Sequence, residues 1–235
     1  MTGRPAAAGV QPFARYVALG DSFSAGAPGQ SWTPWPHLLT ELLERGSGSL
    51  RLVVLARAGT TAAQLHAQVP EALRCVPDLV TVMTGANDVL LAFRPDIAAA
   101  AASVERALAT LRAHRPAARV LVLTYPPFLQ LPYRNRSKLR VLDGMRRLND
   151  AIRASARRTG AELVDLERHP WALRRDGISA DGVHPSAIGH RRVACCVQTL
   201  LGPAPTAAQP ATEADAPTIA PMSASRSPEA PETFT

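Results

Sequence analysis

The chain has 235 residues, 46% of them hydrophobic, and a formal net charge of +7, which is enough for one α/β domain with a sizeable core. No apolar run approaches the roughly 18 residues of a membrane span, and the first fifteen residues lack the apolar stretch of a secretory signal, so a cytoplasmic protein is expected. Three cysteines, Cys75 and the adjacent Cys195 and Cys196, make no disulfide framework. No Cys-x-x-Cys or His-x-x-x-His spacing offers a metal site, and Cys195 and Cys196 read as small core residues. From Pro203 onward Glu213, Asp215, Glu229 and Glu232 stand against Arg226, a net −3 that leaves +10 for the rest. That excess is spread arginine without an aromatic-interleaved basic face, so no nucleic-acid partner is expected.

The first predicted element is a buried strand at Tyr16–Leu19, stopped by Gly20-Asp21-Ser22. A serine at the exit of a buried strand presents its hydroxyl at a sheet edge, although Gly-Asp-Ser is equally an ordinary turn. Pro34 and Pro36 are positioned to open a helix over His37–Arg45, closed by Gly46-Ser47-Gly48-Ser49. Leu50–Leu55 reads as a second strand, and its unbroken apolar character predicts burial on both faces. After Gly59, Thr61 is placed to cap a helix over Ala62–Gln68. Asp78–Thr84 is a third strand running into Gly85-Ala86-Asn87-Asp88, and an alanine-rich helix follows over Pro95–His114. A fourth strand, Arg119–Thr124, is broken by Tyr125-Pro126-Pro127. An arginine-bearing loop over 128–138 then leads to a helix at Leu139–Thr159, stopped by Gly160. Leu163–Asp165 is a short fifth strand, and a loop carrying Trp171 and Asp181-Gly182-Val183-His184-Pro185 precedes a last helix near Ile188–Leu201.

The alternation of strand and helix predicts a single three-layer α/β/α sandwich with a central, mostly parallel five-stranded sheet over residues 15–202. Residues 1–14 read as a flexible N-terminus. Residues 203–235, dominated by Pro, Ala, Ser and Thr, are too poor in bulky apolar residues to offset the entropy of ordering and read as a disordered tail.

All parallel strands of such a sheet end on one edge, where ligands bind. Ser22, Gly59, Asn87 and the Asp181–His184 turn all follow strands there. Each alone is explicable as a turn or cap. Together they supply a nucleophile (Ser22), a base (His184) and a carboxylate to orient it (Asp181). The N–H groups of Ser22 and Gly59 and the side-chain amide of Asn87 could act as donors to an oxyanion. Asp88 reads as a loop-organising carboxylate. Ser24 is a rival nucleophile on paper, but two residues further on it points elsewhere.

The blocks GDSFSAG, a lone glycine at 59, GAND and DGVHP, in that order, resemble the SGNH (GDSL-type) hydrolase family over residues 16 to 200. The resemblance implies a flavodoxin-like fold and ester hydrolysis through Ser22, Gly59, Asn87 and His184, with Asp181 completing the triad, and it implies no metal or organic cofactor. Position 24 is serine, so the first block is not the Gly-x-Ser-x-Gly elbow of the α/β-hydrolases. The segment Arg57-Ala58-Gly59 lacks the asparagine that many relatives carry two residues before the glycine.

The substrate expected is a small soluble ester, short in its acyl part, because no inserted lid or extended apolar surface is evident. Trp32, Trp35, Phe93, Tyr125, Phe128 and Tyr133 are candidates for the site mouth. An acyltransferase or a deacetylase of a sugar or secondary metabolite would use the same residues. A non-catalytic flavodoxin-like binding module is disfavoured, because strand one leads into no phosphate-cradling glycine loop.

Overall fold

The computed structural model describes residues 13–47, 49–127 and 130–202. The expected tail at 203–235, and all but the last two residues of the expected N-terminal arm, lie outside them. Those two belong to the packed unit. Phe13 packs against the core, and the Ala14 N–H donates to Asp78 Oδ2 at 2.9 Å.

Among the described residues five strands form one sheet: β1 (Arg15–Gly20), β2 (Arg51–Val54), β3 (Leu79–Met83), β4 (Arg119–Leu123) and β5 (Glu162–Val164). Their order is β2-β1-β3-β4-β5, and every pairing is parallel. From Tyr16 onward β1 is buried, as is all of β3, which is what a sheet covered on both faces requires of its central strands. The chain winds outward from β1 to β2, then crosses back to β3 on the other side. The crevice beyond the ends of β1 and β3 is therefore the topological switch point, the usual ligand position in open parallel sheets.

Among the described residues seven helices cover the sheet: α1 (Ser22–Ala25), α2 (Trp35–Ser47), α3 (Leu65–Arg74), α4 (Ala86–Leu90), α5 (Ile97–His114), α6 (Asn135–Thr159) and α7 (Ala187–Leu201). α2 packs with α7, while α5 packs with both α3 and α6, which gives the three layers. Among the described residues no helix is long and apolar enough to cross a membrane.

Several expectations are corrected. β2 is half-exposed along its length rather than buried on both faces. It is an edge strand, and an apolar run does not reveal which strands end the sheet. The helix after Thr61 opens as a single 3-10 turn at Ala62–Gln64 and continues as α3 well past Gln68, through Pro70. The proline removes one backbone hydrogen bond, while Val69 and Ala72 on either side of it are buried in the core. α6 begins at Asn135, four residues earlier than its apolar pattern suggests. The Asn87 segment is a short helix, α4, entered through Gly85 at φ 112°. Cys195 is exposed and Cys196 half-buried on α7, so neither is a core residue.

Candidate active site

Gly20 ends β1 opposite Met83 of β3. A Cβ on Gly20 would lie 1.9 Å from the Met83 carbonyl oxygen, so only glycine allows the two central strands to meet here. The buried side chain of Gln68 on α3 grips the backbone of that glycine on both sides. Its Oε1 accepts from the Gly20 N–H at 2.8 Å, and its Nε2 donates to the Gly20 carbonyl at 3.0 Å. The strand therefore delivers the next two residues in one fixed direction. Asp21 caps the single turn of α1, its Oδ1 accepting from the Phe23 N–H at 3.0 Å. Ser22 is the first residue of that turn. Its N–H has no acceptor within the helix, and none elsewhere among the described residues.

The other half of the site arrives on the loop between β5 and α7. Arg153 of α6 forks between Asp165 (2.7 and 2.8 Å) and Glu167 (2.6 Å) and so anchors the loop's start. Further on, the Ser179 N–H donates to the His184 carbonyl at 2.8 Å, and the Gly182 N–H to the Ser179 carbonyl at 3.0 Å, closing a tight turn. Gly182 sits at φ 72°, and a Cβ there would lie 2.3 Å from the Gln130 carbonyl oxygen, so the turn tolerates no side chain at its tip.

The structure brings Ser22, His184 and Asp181 together. Ser22 Oγ lies 2.9 Å from His184 Nε2, and His184 Nδ1 lies 2.7 Å from Asp181 Oδ2. The second oxygen of Asp181 accepts from the Ser179 hydroxyl (2.7 Å) and from the N–H groups of Val183 (2.8 Å) and His184 (2.9 Å). Burial alone would raise the Asp181 pKa, but the Val183 N–H, the Ser179 hydroxyl and the His184 ring and N–H outweigh it and hold the carboxyl down to about 2. An ionised Asp181 only accepts, so the proton of the imidazole sits on Nδ1 and the lone pair of Nε2 faces the serine hydroxyl. Gln30 extends the chain by one link, its Nε2 donating to Ser179 Oγ at 3.3 Å.

A second histidine lies close by and cannot substitute for His184. His190 is wholly buried, and its Nδ1 accepts from the Trp35 N–H at 3.2 Å. Burial first, and the charge of His184 second, push its pKa down to about 4, so it stays neutral. Ser24 is also wholly buried, and its hydroxyl has no partner among the described residues.

Gly59 and Asn87 occupy one unit. Asn87 Nδ2 donates to the Thr60 carbonyl at 2.9 Å, and Asp88 Oδ2 accepts from the Ala62 N–H at 2.8 Å. α4 thus holds the 57–62 loop by two adjacent side chains. Gly59 is exposed at φ 79° with open space around its Cβ position. Its glycine is required by the backbone angle, not by a crowding neighbour. Among the candidate mouth aromatics, Trp35 and Tyr125 are fully buried, while Phe93 and Tyr133 are exposed; Phe128 lies outside the described residues.

Residues that the motifs do not mark complete the surroundings. Tyr125, at the exit of β4, donates its hydroxyl to Asp21 Oδ2 at 2.7 Å. Its own backbone is held on both sides by Asn149 of α6, at 2.9 Å each. Burial pushes Asp21 up to about 7, and the charge of Asp88 adds to the rise; the Phe23 N–H, the Tyr125 hydroxyl and the Ala86 N–H oppose it.

The parallel α/β/α sandwich carries a serine, a histidine and a carboxylate joined by hydrogen bonds at its switch point. Residues 18–192, more than half of the chain, match the model of the GDSL-like lipase/acylhydrolase family, and the chain belongs to that family as a carboxylic ester hydrolase. It is similar to Lipase 2 of Streptomyces coelicolor, with 29% identity over 274 residues, 86% of this chain and 90% of that protein. Among solved structures it resembles TesA, at 25% identity and a TM-score of 0.62, covering 80% of this chain and 98% of the other. It shares the fold of Axe2, an acetylxylan esterase from Geobacillus stearothermophilus, at 20% identity and a TM-score of 0.63, covering 85% and 100%. A non-catalytic binding module is thereby set aside.

Proposed function

We propose that the chain hydrolyses a small ester through an acyl-enzyme on Ser22. The observation that carries this reading is the chain of contacts from Ser22 Oγ through His184 to Asp181, at 2.9 and 2.7 Å. Ser22 Oγ attacks the ester carbonyl carbon while its proton passes to His184 Nε2. The carbonyl π electrons move onto oxygen, and the resulting oxyanion is received by the N–H groups of Ser22 and Gly59 and by Asn87 Nδ2. Collapse of the tetrahedral adduct breaks the bond to the alcohol, which leaves with the proton from His184. Water then attacks the acyl-serine by the same route and releases the acid. Asp181 stays ionised throughout and stabilises the imidazolium.

A short acyl group is the reading supported by a compact fold. Among the described residues the longest segment between named strands and helices, 165–186, is used in building the Asp181–His184 turn. The test is hydrolysis of p-nitrophenyl esters over a series of acyl lengths, wild type beside Ser22→Ala. The wild type is expected to turn over the short members and the variant to lose at least about 10³-fold. Equal rates for the two proteins would remove Ser22 from the mechanism. Labelling of Ser22 by a fluorophosphonate without ester turnover would instead indicate transfer to an acceptor other than water.

A further inference from the structure

We propose that Tyr125 is a positioning residue of this site, acting through the Asp21 carboxylate on the turn that carries Ser22. The inference rests on the acyl-enzyme reading above and assigns a part of the machinery that the sequence blocks do not contain.

The geometry brackets the serine from both sides. Tyr125 bonds to the residue before Ser22, through Asp21 Oδ2 at 2.7 Å, and packs edge-on against the residue after it, with the Phe23 ring centroid 4.8 Å away at 89°. Phe23 in turn lies 5.7 Å from the His184 ring, so one phenol touches the supports of both nucleophile and base. Tyr125 is itself immobilised, fully buried and clamped at N–H and carbonyl by Asn149. Such a doubly held aromatic is a rigid reference point for the turn, and rigid support is what keeps catalytic groups within tenths of an ångström of working geometry.

The carboxylate it holds is a poor choice for stability alone. Asp21 is fully buried, and the groups bearing on it are Tyr125, Asp88 and the N–H groups of Phe23 and Ala86, with no cation among them. Burying an unpaired carboxyl carries a cost. What Asp21 does locally is direct the donors of the turn. One oxygen takes the Phe23 N–H, and its backbone carbonyl takes those of Ser24 and Ala25 at 3.1 and 3.0 Å. The Ser22 N–H is left as the first uncommitted donor of the turn. Loss of the Tyr125 bond frees the carboxyl to rotate, and the aim of the Ser22 N–H and hydroxyl goes with it.

The experiment is Tyr125→Phe, with each preparation titrated by a fluorophosphonate so that turnover is counted per reactive serine. We expect kcat to fall about 10- to 100-fold per labelled site, KM to stay within about threefold, and the labelling rate to fall in parallel with kcat. Asp21→Asn, which keeps an acceptor for the Phe23 N–H and a polar partner for the phenol, should recover to within about tenfold of wild type, while Asp21→Ala should not. A purely structural Tyr125 would lower melting temperature and the labelled fraction but leave turnover per labelled site within twofold, and that result overturns the proposal. So does an Asp21→Asn variant as slow as Asp21→Ala, because charge and not position would then be at stake. Should Tyr125→Phe fail to fold, the contrast between Asn and Ala at position 21 decides alone. A wild type that never labels at Ser22 removes the acyl-enzyme reading, and the proposal with it.

Discussion

Two carboxyl groups flank the same serine, and their surroundings drive them in opposite directions. Asp181 lies on a partly exposed turn and receives four donors, which hold it down to about 2. Asp21 is sealed in the core beneath α1, and burial raises it to about 7. The difference is a division of labour. In the proposed mechanism Asp181 stabilises a transient imidazolium and has to be ionised at the working pH, which its donors secure. A group that only holds a turn in place works as a hydrogen-bonding frame and need not be charged. Paired groups pushed apart in this way are a usual mark of separate roles in one site.

The sharpest way to break the contrast is to neutralise the exposed partner. Asp181→Asn is expected to lower kcat about 10⁴-fold, because the amide favours the wrong imidazole tautomer. A loss below tenfold in the ester assay would show that Asp181 does not orient the base. The next effect belongs to the oxyanion side. Asn87→Ala should cost about 10²- to 10³-fold in kcat with KM little changed; a change confined to KM would mean that Asn87 serves only to fasten the 57–62 loop through Thr60.

The smallest effect is on stability and concerns Asp21 alone. Its pKa in the folded state lies above its ordinary value, so between about pH 4 and 7 the folded chain retains a proton that the unfolded chain has released. Stability therefore falls as pH rises through that window and is flat above it. Asp21→Asn removes this penalty and is expected to raise the melting temperature more at pH 8 than at pH 4.5. Asp181 runs the other way: its contribution is present above its ordinary pKa and is lost only as pH falls toward 2. Equal shifts at the two pH values would show that Asp21 is not titrating from a buried state.

The turns that carry the proposed site were legible because each carries a local signal. Glycines at 20, 59 and 182 sit where the backbone adopts positive φ, and the residues beside them need only a short spacing to be read. The strand–helix alternation similarly indicated the sheet. What stayed hidden was set by distance along the chain. Gln68 grips Gly20 across 48 residues, and Asn149 clamps Tyr125 across 24. Both sit on helices where a polar side chain reads equally well as a solvated face. The edge position of β2 was hidden for a related reason, since it is a property of strand order. Volume would have misled as well. A cavity of about 720 Å³ between β5 and α7, lined by Leu163, Trp171, Ile188, Cys196 and Leu200, includes none of Ser22, Asp181 or His184. Convergent polar atoms mark the proposed site, and this cavity lies apart from it.

Ser22 and His184 are 162 residues apart, one near the first strand and the other just before the last helix. During synthesis the serine therefore emerges from the ribosome long before its base. A nascent chain, or one stopped short of residue 184, carries a hydroxyl with no proton acceptor in place, however much of the sheet it has built. On the proposed mechanism, hydrolytic competence would therefore appear only once translation had passed nearly the whole domain.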